Sequence, residues 1–212
     1  MAPIILLTGF APFGGERTNP SWEVASWLDG KEIGGATIHT LELPVNCRRA
    51  AKAVTDAIAR TKPAAMLGLG QAGGRPSLSV EKVAVNLADD RASRETDGGA
   101  NAKPIFANGP DAYFARLPIA PLLREITRAG IPATISLSAG VYVCNTVMYA
   151  ALHAMRSSPQ APVGFIHLPY TAAQASRHRA TASMSVDLMT AGVETALGVI
   201  ARTLPKGSLK PR

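Results

Sequence analysis

The sequence is poor in cysteine and in aromatic residues, and each shortage excludes a class of protein. It has 2 cysteines, Cys47 and Cys144, and only 5% of its 212 residues are aromatic. Two cysteines cannot form the dense disulfide framework of a small secreted domain or a four-cysteine zinc cluster. With few aromatic residues, the core must consist mainly of Ala, Val, Leu and Ile. We therefore expect two free thiols in a protein with an aliphatic core.

The sequence also lacks an apolar run long enough to span a bilayer, and it has no basic region before its first apolar residues. We expect a cytoplasmic protein with no membrane partner, whose first residues form a β-strand. A composition of 47% hydrophobic and 17% charged residues is typical of a compact globular protein. We predict a single domain over residues 1–205 and a frayed basic tail over residues 206–212.

The net charge of +7 raises the question of a nucleic-acid partner, but the distribution of the charge argues against one. Arg and Lys are scattered along the chain. The densest groups are Arg177 with Arg179 and the tail 206–212, and no aromatic residues alternate with them to stack on bases. We therefore expect no nucleic-acid partner.

Short apolar runs alternate with helical patterns along the whole chain, which is typical of an α/β protein. The predicted fold is a three-layer α/β/α sandwich around a mostly parallel mixed sheet. The predicted strands cover residues 3–8, 37–43, 64–69, 80–87, 133–137 and 163–168. The predicted helices cover residues 20–28, 48–61, 119–129, 145–156 and 183–204. Asn19 and Asn46 are expected to cap the first two helices, and Gly130 to end the third.

Cys144 lies where a predicted strand passes into a predicted helix. Residues 133–137 are interpreted as a buried strand, and apolar residues recur at helical spacing from Val147 to Met155. The unpaired amides and the positive end of the helix dipole would stabilise a thiolate here and lower the pKa of the thiol. Cys144 is therefore a candidate nucleophile. On this position alone, a small apolar core residue remains the alternative.

Two further residues, Glu81 and His167, are predicted to lie at the same edge of the sheet as Cys144. Glu81 alternates with three apolar residues in the predicted strand 80–87, so its carboxylate points inward and requires a partner. His167 lies near the end of the predicted strand 163–168. Cys144, His167 and Glu81 together supply the nucleophile, base and orienting carboxylate of a hydrolase. For Glu81, a structural ion pair remains the alternative. The other histidines are expected to be structural or exposed: His39, His153 and His178.

Loops that follow predicted strands are the expected place for a ligand, because the carboxyl ends of parallel strands form the crevice of such sheets. Residues 9–19 contain two phenylalanines and three glycines, and residues 68–75 form a second glycine-rich loop. No Gly-Lys-Ser/Thr sequence closes the first loop, so an apolar pocket is favoured over a phosphate site. The charged stretch 89–109 is interpreted as a mobile loop or lid, with Arg91 near its base.

Three segments of the sequence carry a resemblance to a known family. They are Thr8-Gly-Phe-Ala-Pro-Phe-Gly-Gly with Asn19-Pro-Ser-Trp22, Gly70-Gln-Ala-Gly-Gly-Arg with Glu81-Lys-Val-Ala-Val-Asn86, and Ser138-Ala-Gly-Val-Tyr-Val-Cys-Asn145. Weaker matching continues to residue 189, so that most of the chain is covered. On these segments the chain resembles the pyroglutamyl peptidase I family, the pyrrolidone-carboxylate peptidases, which are cysteine peptidases of α/β fold.

The resemblance implies that the chain hydrolyses the amide bond after an N-terminal pyroglutamyl residue of peptides. It implies a thioacyl intermediate formed by Cys144, with His167 and Glu81 as the other catalytic residues. It also implies no metal or cofactor, a cytoplasmic location and a homotetramer. The implied substrate-binding residues are Phe10, Phe13, Tyr142 and Val143 around the lactam ring, Gln71 in the adjoining loop, and Arg91 near the reacting carbonyl. Pyroglutamate has a compact ring and no free amine, so an aromatic-walled pocket suits it.

The chain departs from the family pattern at two places. After Arg91 the family usually has Ile-Pro-Asp-Asn, whereas residues 92–97 here are Ala-Ser-Arg-Glu-Thr-Asp. The family's proline and glutamate before Gln174 are replaced by Ala172 and Ala173. Pocket tightness, leaving-group preference and subunit contacts therefore stay open. Two alternatives remain, a cysteine amidase for another small cyclic or N-blocked substrate, and a non-catalytic small-ligand binding protein on the same scaffold.

Overall fold

The computed structural model describes residues 2–90 and 102–205, and its centre is a mixed β-sheet. The strands in chain order are β1 (Ile4–Phe10), β2 (Glu32–Ile33), β3 (Ala36–Leu43), β4 (Ala65–Gln71), β5 (Leu78–Glu81), β6 (Val83–Val85), β7 (Ala112–Phe114), β8 (Ala133–Ser136) and β9 (Val163–Leu168). Among the described residues, seven strands form one sheet in the order β2-β3-β1-β4-β9-β5-β8, and β6 pairs separately with β7. Strands β3, β1, β4 and β9 run parallel, while β5 is antiparallel to β9. The prediction of a mostly parallel mixed sheet is confirmed.

Helices cover both faces of this sheet. In chain order they are α1 (Pro20–Trp27), α2 (Cys47–Thr61), α3 (Ile119–Arg128), α4 (Val143–Ala154), α5 (Ala172–Ala175) and α6 (Val186–Thr203). On one face, Val54 of α2 and Val147 of α4 share a buried cluster with Leu6 of β1. On the other face, α1 packs against the residues of β1 that alternate with Leu6, α6 packs against α1 and α3, and α3 also packs against β8. Strand β1 is buried on both faces, which explains why its sequence is a nearly continuous apolar run.

The helix ends follow from capping residues, as the sequence predicts. The side chain of Asn19 accepts a hydrogen bond from the amide of Ser21 at 3.1 Å, and Pro20 takes the first position of α1. Asn46 accepts a bond from the amide of Arg49 at 2.9 Å and starts α2. Gly130 follows the end of α3 with a φ of 77°, a left-handed conformation that suits glycine.

The prediction of a single strand over residues 80–87 is wrong. Glu81 is the last residue of β5, and β6 begins at Val83 in the separate two-stranded sheet. The backbone of Lys82 bonds to Ser136 of β8 on one side and to Ala115, just after β7, on the other. The chain therefore leaves the main sheet at this point, and the alternation that the sequence shows across residues 81–87 does not lie on one sheet face.

Strand β8 is also different from the prediction, because it is an edge strand rather than a buried one. It pairs with β5 alone in the order given above, and Ile135 and Leu137 are 45% and 69% exposed. The short elements β2, β7 and α5 were not predicted, since two to four residues carry no clear periodicity.

Some predictions fall on residues outside those described. These are Arg91, residues 92–101 of the proposed lid and the tail 206–212. Among the helices in the described part of the chain, none is long and apolar enough to cross a membrane.

Candidate active site

A cavity of about 640 Å³ opens where several strands of the sheet end. Its walls come from the loop after β1, the glycine-rich loop after β4, the turn before α4 and the chain after β9. Both Cys144 and His167 line it. Because β1, β4 and β9 are parallel, their carboxyl ends meet at one edge, where α/β sheets bind ligands.

Cys144 is the second residue of α4, at the helix start that the sequence predicts. Its sulfur lies against Gly70 of β4. A Cβ atom built on Gly70 would be 2.8 Å from Cys144 Sγ. Gly70 is the register partner of His167 on the neighbouring strand β9. The absence of a side chain at position 70 therefore allows the thiol to approach the strand that carries the histidine.

The environment of Cys144 does not favour a thiolate in the free protein. Burial raises the pKa of the thiol to about 12, and the negative charge of Glu81 acts in the same direction. The positive charge of Arg75 and a hydrogen bond from the residue's own amide lower the pKa but do not compensate. The expectation of a lowered pKa is therefore wrong, because desolvation of the sulfur outweighs the effect of the helix start.

His167 and Glu81 form a buried hydrogen-bonded pair. The distance from His167 Nδ1 to Glu81 Oε1 is 2.7 Å, and the two residues are 5% and 0% exposed. The pair exists because β5 lies antiparallel beside β9, where Glu81 is opposite Phe165 and so two residues from His167. With Nδ1 bound to the carboxylate, Nε2 is the ring nitrogen left for proton transfer.

Arg75 is a further member of this group that sequence reasoning missed. Its guanidinium donates to the same oxygen of Glu81 at 2.7 Å, and also to the carbonyl of Ser138 at 3.4 Å. Burial alone would raise the pKa of Glu81, but the hydrogen bond and charge of His167, with smaller contributions from Ser136 and Arg75, lower it. A signal was present in the sequence, because a buried Glu81 requires a cationic partner and Arg75 ends the preceding glycine-rich loop.

The residues expected around the lactam ring do not all line the cavity. Phe13, Gln71 and Tyr142 line it. Phe10 is instead 2% exposed and packs against Phe165, with ring centroids 6.4 Å apart. Val143 is 3% exposed and belongs to the core cluster on the α2 and α4 face. Phe10 ends β1 on the face that α2 and α4 cover, and Val143 begins α4 on the side that packs into the same cluster. Arg91 lies outside the described residues.

A stacked pair on another wall was also missed. The rings of Tyr170 and His178 are 4.9 Å apart and within 4° of parallel, and both residues line the cavity. His178 was expected to be structural or exposed, and it is exposed. His153 stacks on Phe106 and bonds Tyr113 far from this cavity, while His39 is exposed.

The start of α4 offers amide groups to a developing negative charge. Tyr142 precedes the helix and its side chain makes no capping hydrogen bond. The first amides of a helix lack partners within the helix, so those near Cys144 are suited to an oxyanion. Among the described residues, no three His, Cys, Asp or Glu side chains are grouped as metal ligands.

Comparison with known proteins gives consistent matches over nearly the whole chain. The family model described as pyroglutamyl peptidase matches residues 4–203. A pyrrolidone-carboxylate peptidase of Chromobacterium violaceum is 45% identical over 193 residues, covering 91% of this chain and 90% of that protein. A pyrrolidone-carboxylate peptidase of Escherichia fergusonii is 42% identical over 193 residues, with the same coverage of 91% and 90%.

Solved structures match as well. The crystal structure of pyroglutamyl peptidase I from Bacillus amyloliquefaciens superposes with a TM-score of 0.86 at 35% identity, covering 95% of this chain and 96% of that one. The pyrrolidone carboxyl peptidase of the hyperthermophile Pyrococcus furiosus also gives a TM-score of 0.86 at 35% identity, covering 95% of this chain and 100% of that one.

Proposed function

This chain belongs to the pyroglutamyl peptidase family; its activity is the hydrolytic removal of N-terminal pyroglutamate from peptides, and we propose that Cys144, His167 and Glu81 carry it out. The observation that carries the assignment of these residues is the 2.7 Å hydrogen bond between His167 Nδ1 and Glu81 Oε1, beside a cavity that Cys144 and His167 share. A nucleophile, a base and a carboxylate that orients the base are the groups that amide hydrolysis through a covalent intermediate requires.

The first half of the reaction forms the thioacyl enzyme. Cys144 Sγ attacks the carbonyl carbon of the pyroglutamyl residue while its proton passes to His167 Nε2. The oxyanion is held by amides at the start of α4. His167 then gives the proton to the nitrogen of the leaving peptide, and the carbon–nitrogen bond breaks. The second half uses water, which His167 deprotonates for attack on the thioester, and this releases pyroglutamate and regenerates the Cys144 thiol.

The charges around the cavity determine how the proton moves. Burial raises the pKa of the Cys144 thiol, which favours its protonated form. In this proposal the thiol therefore gives its proton to His167 as it attacks. Glu81 stays ionised since its pKa is lowered, and it stabilises the imidazolium that forms. Arg75 favours the thiolate by its positive charge.

A small, flat lactam suits the lining of the cavity. The half-buried ring of Phe13 and the ring of Tyr142 provide apolar surface, and Gln71 provides a polar group. Recognition mainly by shape with a few polar anchors is typical of small-molecule sites. Arg91 remains a proposed neighbour of the reacting carbonyl, on the family resemblance alone.

Release of a fluorescent amine from pyroglutamyl, prolyl and unblocked glutaminyl amides tests the function. We expect turnover of the pyroglutamyl amide alone, and none of it in Cys144→Ala. Turnover of a different N-blocked amide in preference to the pyroglutamyl amide would favour the broader cysteine amidase. No turnover of any amide, together with binding of pyroglutamate, would favour a binding protein.

We propose further that the protein works in the cytoplasm as a homo-oligomer, a tetramer by family resemblance. Cys47 and Cys144 are both free thiols, as is usual in a reducing compartment, which supports the location. Ile135 on the edge strand β8 and Leu137 just after it expose apolar surface, which supports association because such edges are commonly covered. Light scattering on the purified protein, with and without Leu137→Lys, tests the oligomer. No membrane or nucleic-acid partner is proposed.

A further inference from the structure

The side-chain amide of Gln174 lies between two backbone groups whose hydrogen-bonding roles cannot change. Gln174 is 1% exposed and belongs to the short helix α5. Its Oε1 accepts a hydrogen bond from the backbone N–H of Thr171 at 3.1 Å, and its Nε2 donates to the backbone carbonyl of Thr18 at 3.3 Å. A backbone N–H only donates and a carbonyl only accepts, so these contacts determine which end of the amide is the oxygen.

The orientation of Gln174 determines that of Gln71. Gln174 Nε2 donates a second hydrogen bond to Gln71 Oε1, at 2.7 Å. Because Gln174 offers a donor at this point, Gln71 must turn its oxygen toward it, and its own NH2 group then points away. Within the described parts of the chain, Gln71 Nε2 has no hydrogen-bond partner, and Gln71 lines the cavity that holds Cys144 and His167.

We propose that Gln174 is a positioning residue, which makes Gln71 present N–H donors to the substrate and so selects a ring carbonyl. This inference rests on the proposed function of the cavity. The pyroglutamyl ring carries a carbonyl, an acceptor, where the proline ring carries a methylene group. An unblocked N-terminal glutamine brings a charged ammonium group, itself a donor. An amide that presents its NH2 group matches the lactam carbonyl, whereas a reversed amide would present an acceptor to it.

The variant that tests this is Gln174→Glu. A glutamate has nearly the same shape and still accepts the hydrogen bond from Thr171, which is the usual arrangement of a capping box. Its carboxylate cannot donate to Gln71, so the amide of Gln71 should turn its NH2 group toward residue 174 and its oxygen toward the cavity. We expect the KM for a pyroglutamyl amide to rise roughly 10- to 100-fold, with kcat changed much less, since one neutral hydrogen bond is exchanged for an acceptor facing an acceptor.

A matched control separates positioning from support of the helix. Thr171→Ala removes the hydroxyl that lies 3.3 Å from both the backbone amide and the Oε1 of Gln174, and it keeps the two bonds that orient the side chain, from the N–H of Thr171 and to Gln71. We expect Thr171→Ala to lower the melting temperature and leave the KM unchanged. Gln174→Glu also loses the hydrogen bond from Nε2 to the carbonyl of Thr18, so it too should melt at a lower temperature, and the rise in KM is the result that distinguishes it from Thr171→Ala.

Competitive inhibition by 2-pyrrolidone and by tetrahydrofuran, a neutral ring without a carbonyl, gives a second readout that does not involve the reacting bond. In the wild-type protein 2-pyrrolidone should inhibit more strongly than tetrahydrofuran, and Gln174→Glu should reduce that difference at least tenfold. The side chain in Gln174→Met neither donates nor accepts, so its KM and its inhibition should lie between those of the wild type and Gln174→Glu. This variant decides the question if Gln174→Glu does not fold. A folded Gln174→Glu or Gln174→Met variant with wild-type KM and wild-type inhibition overturns the inference. A wild-type protein that hydrolyses no pyroglutamyl amide instead overturns the proposed function.

Discussion

The sulfur of Cys144 lies in the space that a side chain at position 70 would need. A Cβ atom on Gly70 would be 2.8 Å from Cys144 Sγ and equally close to the ring of Phe165. We therefore expect Gly70→Ala to displace the thiol and to reduce turnover roughly 100-fold, since misplacing a reacting group by about 1 Å has effects of this size. Turnover of the pyroglutamyl amide measures the effect.

Gly68→Ala is the control for this substitution. Gly68 also lies on β4, and a Cβ atom there would meet the ring of Phe165 at 2.4 Å without reaching Cys144. Both variants should lose about 1–3 kcal/mol of stability through overpacking. Only Gly70→Ala should lose activity out of proportion to the folded fraction. Equal residual activity in the two variants would mean that Phe165, and not the position of the thiol, accounts for the loss.

Glu81→Gln should slow turnover by about three to four orders of magnitude, because the imidazole of His167 loses the carboxylate that determines its tautomer. Glu81→Ala should be worse, since it also leaves a cavity and an unpaired imidazole N–H. Glu125→Gln is the control, because Glu125 pairs with Arg128 at 3.2 Å on the surface and its loss should change turnover and stability little. A Glu81→Gln protein that melts earlier but turns over normally would assign Glu81 to structure alone.

The ionisation of Glu81 should also make the free energy of unfolding depend on pH in the acid range. The pKa of Glu81 lies below its ordinary value of 4.5 in the folded protein, so the folded state gains stability from its ionisation above that value. This contribution is lost as the pH falls through the lowered pKa. Urea unfolding should therefore show that the wild type and Glu81→Gln differ in their free energy of unfolding. That difference should be constant at neutral pH and shrink below about pH 4.5. A difference independent of pH down to pH 3 would contradict the lowered pKa.

The two thiols should differ in access but not in acidity. The pKa values of Cys47 and Cys144 are both raised to about 12, mainly by burial, but only Cys144 lines the active-site cavity. Iodoacetamide should modify Cys144 first. In the Cys47→Ala variant, the rate at which Cys144 is modified should rise roughly tenfold per pH unit from pH 7 to 10, because the thiolate is the reactive form. A plateau between pH 6 and 8 would instead indicate a thiolate and imidazolium pair in the free enzyme. Cys47→Ala should keep its peptidase activity.

Substitution of Phe10 should affect mainly the stability of the protein, whereas substitution of Phe13 should affect mainly substrate binding. Phe10→Ala removes a buried ring and should cost about 3–5 kcal/mol of unfolding free energy. Phe13→Ala removes a half-buried ring from the cavity wall and should raise the KM for the pyroglutamyl amide with little change in melting temperature. Thermal melts and steady-state kinetics on both variants check this. A Phe10→Ala protein of normal stability and raised KM would instead indicate that Phe10 contacts the substrate.

The sequence by itself determined the layers of the fold and the types of residue that perform the chemistry. Strands such as β1 and β9 are recognisable because both of their faces are buried, and the helices because their apolar residues recur at helical spacing. Cys144 at a helix start and His167 near a strand end could be placed at one edge of the sheet, since parallel strands end together. Turn and cap residues such as Asn19 act on their own neighbours, which makes them readable locally.

Only the tertiary structure decided which of these groups touch. The bond from His167 to Glu81 joins residues 86 positions apart, and it depends on β5 lying antiparallel beside β9, which no local pattern encodes. The hydrogen bond from Arg75 to Glu81 and the contact of Cys144 with Gly70 likewise depend on how distant segments pack, and no local pattern encodes them. The pKa of Cys144 was mispredicted because it depends on how much water the surrounding chain excludes from the sulfur. Burial and strand order are properties of the packed chain, and they are established only when distant segments come together.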